Sequence, residues 1–124
     1  MKKQIISDKA PAAIGPYSQA VLAGGMLFVS GQMGLDVKTG EAPPDIAAQT
    51  KCALENIRSI ITEAGGSMDD IVKCSVFIKD MNEFTAMNEV YGGFFNKPYP
   101  ARVTVEAARL PKDVKVEIDA IAVI

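Results

Sequence analysis

The chain has 124 residues, 48% of them hydrophobic and 23% charged, which suits one folded domain over 1–124 and excludes a disordered chain. A net charge of -2 and a sequence pI of about 5.1, without a long basic run, argue against nucleic acid as a partner. There is no histidine, so Ser-His and Cys-His nucleophile pairs and histidine zinc sites are excluded. The cysteines, Cys52 and Cys74, form no metal-binding spacing and read as inert core thiols. No signal-like or membrane-spanning apolar run occurs, so a cytoplasmic protein without membrane contact is expected.

In chain order, Ile5-Ile6 predicts a short first strand. Ala10 to Pro16, with two prolines and a glycine, predicts a loop. Gln19 to Ala23 and Met26 to Gly31, separated by Gly24-Gly25, predict a hairpin. Asp36 to Pro44 is rich in turn residues and predicts a second loop. A helix is expected over 46–64, with Asp45 as N-cap. Its buried stripe is Thr50, Ala53, Leu54, Ile57, Ile60, Ile61 and Ala64, and Gly65-Gly66 stops it.

Ile71 to Lys79 alternates and predicts a strand with Val72, Cys74, Val76 and Ile78 on one face. A second helix starts near Asn82, with Asp80 and Glu83 in the spacing of a capping box. Phe84, Met87, Tyr91, Phe94 and Phe95 form its apolar stripe, and Gly92-Gly93 weakens it by about 1 kcal/mol per glycine. Two strands, 102–108 and 114–124, joined by a turn at Pro111-Lys112-Asp113, close the chain.

Two strand-helix-strand crossovers of one hand put both helices on the same side of one sheet. The fold class is therefore α/β, a two-layer sandwich with a mixed six-stranded sheet. Parity assigns Val114, Val116, Ile118, Ala120 and Ala122 to the helix side, together with Val103, Val105 and Ala107. Arg102, Thr104, Glu106, Glu117 and Asp119 then share the uncovered side with Phe28, Phe77, Ile121 and Val123. A face that mixes such apolar groups with charges is expected to be buried by self-association.

Several segments together resemble the RidA/YjgF family of reactive intermediate deaminases. They include Ala10-Pro11-Ala12-Ala13-Ile14-Gly15-Pro16-Tyr17-Ser18-Gln19-Ala20, Phe28-Val29-Ser30-Gly31-Gln32, Asn88-Glu89-Val90-Tyr91, Pro98-Tyr99-Pro100-Ala101-Arg102 and Val116-Glu117-Ile118. The likeness covers nearly the whole chain. It implies a chorismate-mutase-like homotrimer with sites between subunits. It also implies hydrolysis of the 2-imino acids 2-iminopropanoate and 2-iminobutanoate to 2-keto acids and ammonia, with neither metal nor organic cofactor.

The resemblance makes Arg102 the substrate-carboxylate clamp and Glu117 the group that orients or polarises the attacking water. Ser30 and the Gly31 amide would help hold the ligand, and Tyr17 and Asn88 would line the cleft. At position 104 many relatives carry cysteine. This chain has Thr104, which leaves a backbone contact to the ligand but no thiol. Three other readings stand beside deamination: a keto- or imino-acid binding or sensing module without turnover, an RNA-cleaving enzyme, and a redox-triggered chaperone. The missing histidine and the acidic balance weigh against the second.

Overall fold

A computed structural model describes residues 1–124. Its elements are β1 (Lys3–Ile5), β2 (Ala20–Ala23), β3 (Met26–Met33), α1 (Ile46–Glu63), β4 (Ile71–Ile78), α2 (Phe84–Gly92), β5 (Ala101–Glu106) and β6 (Val116–Val123). The predicted order is therefore the observed one. The strands form one six-stranded sheet in the order β1-β2-β3-β6-β4-β5. Only β4 and β5 pair in parallel; the other neighbours are antiparallel. The first strand lies slightly earlier than predicted, leaving Ile6 outside it and exposed.

The helix α1 follows from its local sequence. Asp45, in extended conformation, accepts a bond from the Ala48 amide at 3.4 Å, and Gly65 leaves the helix with φ +91°. Thr50, Ala53, Leu54, Ile57, Ile60 and Ile61 are fully buried against the sheet. Each such leucine or isoleucine contributes about 1.5–3 kcal/mol by leaving water. From the sheet side, Leu27, Val29, Cys74, Val76, Ile78, Val116, Ile118, Ala120 and Ala122 complete this core.

Four local expectations are corrected. In β4 the register shifts between Ile71 and Lys73, so Val72 is the extra residue of a bulge and is exposed, while Ile71 faces inward. Asp80 caps a single 3₁₀ turn, Met81–Glu83, and α2 proper begins at Phe84. Glu83 does not close a capping box; its carboxylate stands 3.6 Å from the Lys115 ammonium. Gly92 and Gly93 end α2 rather than weaken its interior, which places Phe94 and Phe95 beyond it. Val114 is buried apart from the main core, in a small cluster with Leu35 and Leu110 that Ala107 also meets.

The largest correction concerns β5. Arg102, Thr104 and Glu106 pair with Cys74, Val76 and Ile78, the fully buried residues on the helix side of β4. Laterally paired residues point the same way. Arg102 and Thr104 thus lie on the helix side, and Val103 and Val105 on the open one. Alternation in β5 is real, but both sheet faces carry apolar residues, so its phase could not be read from the strand itself.

Candidate active site

The predicted site residues fall into two groups on opposite faces of the sheet. The first group is Arg102, Asn88 and Thr104. Arg102 leaves the edge strand β5 toward α2, where its guanidinium carbon lies 4.7 Å from the centre of the Tyr91 ring and 5.5 Å from that of Phe84. One Nη1–H donates to Asn88 Oδ1 at 2.7 Å. No Asp or Glu oxygen lies within ion-pair distance of Arg102, whereas Arg109 is paired with Asp113 at 2.8 Å. Arg102 is only half-buried. It is a fixed, uncompensated cation with most of its five N–H donors unused. Thr104 turns its side chain inward, and its Oγ1 is buried without a hydrogen-bond partner.

The second group is Tyr17, Ser30, Gly31 and Glu117. Between Val29 and Gln32 the register of β3 against β6 shifts, so Ser30 and Gly31 form a bulge. Ser30 Oγ donates to the Ser18 carbonyl at 2.6 Å, which ties the loop carrying Tyr17 to the bulge. That loop is anchored from within by Gln19, a buried residue that accepts from the Ser7 amide at 2.7 Å and donates to the Pro11 carbonyl at 2.8 Å. Tyr17 itself is half exposed.

Glu117 pairs with Met33 and Phe77 in the sheet and points to the open face. Its side chain lies directly over Gly31: a Cβ there would fall 2.9 Å from the Glu117 Cδ and collide with the carboxylate. Burial, and secondarily the negative charge of Asp119 two residues along the strand, raise the Glu117 pKa above the ordinary carboxylate value. Asp119 is held by the Ser75 amide, 3.1 Å from its Oδ1.

This geometry gives Gly31 a use beyond close strand packing. Gly31→Ala is expected to displace the Glu117 carboxylate while sparing the fold, because the clashing group is the free end of a flexible side chain. Any turnover that uses this carboxylate should fall by about 10-fold or more, with a melting curve near wild type. Unchanged turnover in a folded Gly31→Ala protein would mean that the carboxylate needs no fixed seat.

One chain does not bring Arg102 and Glu117 together. The sheet separates them, and their expected placement on one face is overturned by the inverted phase of β5. Two clefts, about 450 Å³ beside Pro43, Gln49 and Lys112 and about 370 Å³ beside Asn96 and Tyr99, contain neither residue. No three His, Cys, Asp or Glu side chains stand close enough to hold a metal ion. No helix is long and apolar enough to cross a membrane.

Sequence reasoning assigned Phe84 and Tyr91 to the core alone and missed their stacking on Arg102. A usable signal was there: Phe84, Asn88 and Tyr91 stand at i, i+4 and i+7, an amide set between two rings on one helix stripe. It also missed Gln49, a buried residue whose amide joins the Pro43 carbonyl and the Lys115 amide, each at 2.8 Å.

Comparison with known proteins adds independent findings. Residues 7–124 match the family described as Endoribonuclease L-PSP. The chain is 52% identical over 126 residues to the 2-iminobutanoate/2-iminopropanoate deaminase of Escherichia coli K12, covering 99% of this chain and 98% of that protein. It is 54% identical over 123 residues to a RutC family protein of Pyrococcus horikoshii, covering 98% of each. The crystal structure of E. coli TdcF with bound serine superposes with a TM-score of 0.95 at 50% identity, covering 98% of each chain.

Proposed function

Since the chain belongs to the RidA/YjgF family, the same family that bears the description Endoribonuclease L-PSP, we propose that it is a deaminase that hydrolyses 2-iminobutanoate and 2-iminopropanoate to 2-keto acids and ammonia. Such activity would remove reactive imines and enamines before they damage pyridoxal-phosphate enzymes. The observation that carries this reading is Arg102: a guanidinium stacked on two rings, held by one amide and lacking any carboxylate of its own chain. A small ligand bearing a carboxylate supplies the missing counter-charge, and the planar fork can bind it bidentately.

The imine carbon is already electrophilic, so a strong nucleophile is not required. Glu117 orients a water toward that carbon and takes one of its protons. A carboxylate pKa raised by burial suits this role, because the group then gives and takes a proton closer to neutrality. Water adds across C=N to give a carbinolamine. Proton transfer to its nitrogen and loss of ammonia leave the 2-keto acid. Tyr17, Ser30 and the Gly31 amide border the Glu117 side of the cleft, and Asn88 the Arg102 side. Thr104 contributes its backbone. No cofactor takes part.

Arg102 and Glu117 act in one site when they come from different copies of the chain, in a homotrimer with sites between subunits. Two support this. The halves occupy different surfaces of the chain, and a head-to-tail contact brings two different surfaces together. The open face is also apolar: Phe28, Val103, Val105 and Val123 are 44%, 43%, 41% and 50% exposed in the single chain. The phase of β5 adds two valines to the face that self-association was expected to bury.

Two experiments test this reading. A threonine dehydratase generates 2-iminobutanoate, and ultraviolet absorbance follows 2-ketobutyrate with and without this protein. Acceleration is expected; tight binding of the keto acid without acceleration would make the protein a binding module instead. Separately, Arg102→Ala and Glu117→Gln proteins, each inactive, are unfolded together, refolded at equal amounts and assayed. Sites with Arg102 from one subunit and Glu117 from another regain function, giving roughly a quarter of wild-type activity for a random trimer. No recovery in mixed trimers, or a monomer of 13.2 kDa by light scattering, would overturn the shared site.

A further inference from the structure

The guanidinium of Arg102 ends a long side chain on an edge strand, and nothing in β5 itself fixes its direction. Its fixed points all belong to α2. Phe84, Asn88 and Tyr91 recur at i, i+4 and i+7, so they form one stripe, and the guanidinium lies across it, 5.5 Å and 4.7 Å from the two ring centres and 2.7 Å from the amide oxygen. Met87, fully buried on the same helix, belongs to the core.

We propose that Phe84 and Tyr91 are positioning residues for the deamination, a two-ring shelf whose π faces hold the Arg102 guanidinium in the orientation that receives the substrate carboxylate. This rests on the reading of Arg102 as the carboxylate anchor. The aromatic faces attract the cation without consuming its N–H donors. An acidic residue in their place would hold it more strongly and occupy the fork that the substrate needs. The shelf thus keeps the arginine charged, oriented and unpaired.

The hydroxyl of Tyr91 is not part of this role. It is buried, has no oxygen or nitrogen partner, and lies beside the weakly accepting Cys74 thiol. Burial raises the phenol pKa far above its ordinary value and pushes that of Cys74 up to about 11, so both stay neutral beside the cation. The ring face of Tyr91 is what Arg102 meets. The loss caused by an aliphatic replacement should therefore be rescued by any ring.

The test compares Phe84→Leu and Tyr91→Leu with Phe84→Tyr and Tyr91→Phe in the assembled protein. Readouts are kcat and KM for 2-iminobutanoate, Kd for 2-ketobutyrate, and the arginine Nε–Hε signals in a proton–nitrogen correlation spectrum. Each leucine variant is expected to weaken keto-acid binding and kcat/KM by roughly 3- to 30-fold, and the aromatic variants to rescue both. The Arg102 Hε signal should be displaced by ring currents in the wild type and in the aromatic variants and should shift in the leucine variants. Phe84 is only partly buried, so Phe84→Leu remains informative if Tyr91→Leu folds poorly. Wild-type kinetics in folded Phe84→Leu, or a loss in Tyr91→Phe as deep as in Tyr91→Leu, would overturn the shelf. Full keto-acid binding in Arg102→Ala would overturn the anchor instead, and the Hε signal distinguishes the two failures.

Discussion

Arg102→Lys is expected to reduce imine hydrolysis on the order of 100-fold, nearly as far as Arg102→Ala. Lysine preserves the charge, so attraction of an anionic substrate from a distance survives. It removes the planar fork, the bond to Asn88 through a donor of fixed direction, and the flat face that lies on Phe84 and Tyr91. An ammonium there is free to rotate among several seats, and the imine carbon is no longer held against the water. Fold and assembly should survive both changes, because Arg102 makes no ion pair within the chain and is only half-buried. Circular dichroism and oligomer mass belong beside the kinetic assay. Full activity in a folded Arg102→Lys oligomer would reduce the clamp to a point charge. Dissociation of both mutants would make Arg102 an assembly residue.

Glu117→Gln should retain 2-keto acid binding and lose about 100- to 10,000-fold in turnover, the usual contribution of a general base. Glutamine keeps the shape and one acceptor over Gly31 but cannot take a proton. Stability should move the other way. The folded-state pKa of Glu117 is raised by burial and by Asp119, so the folded protein favours the protonated form. Such a group stabilises the fold below its unfolded pKa, and that contribution is lost as pH rises through the folded value. At neutral pH the ionised carboxylate opposes folding, and Glu117→Gln should melt at the wild-type temperature or above it. The same shift places the acid limb of wild-type kcat/KM above the ordinary glutamate value of about 4.3. Equal turnover in the mutant, or an acid limb at the ordinary value, would leave water activation to some other group.

Much of the fold was legible because its elements carry local signals. Asp45 and Gly65 bound α1, and its apolar period of 3.6 names the residues that meet the sheet. What the sequence concealed was phase. In β6, Val116, Ile118, Ala120 and Ala122 alternate first with the charges Glu117 and Asp119, and their face is plainly the core. In β5, Val103 and Val105 alternate with Arg102 and Thr104, and the apolar set turned out to belong to the open face. Core burial and surface burial leave the same two-residue pattern in an edge strand. Only pairing with β4 decides between them. Arg102 and Glu117 could therefore be singled out as candidates, but the sheet faces they occupy could not be read from the strands. The bulge at Ser30-Gly31 was similarly invisible, since its glycine is explained by the side chain of Glu117, 86 positions away by number.

The division of the site between two faces of the sheet separates two thresholds. A lone folded chain would offer a substrate either an anchor with no base or a base with no anchor. Under the proposed assembly, the smallest catalytic particle is larger than the smallest folded one. Dilution would then extinguish activity before it unfolds anything, and the specific rate per chain would rise with concentration until the ring is filled. Newly made chains would bind no imine productively until they met one another.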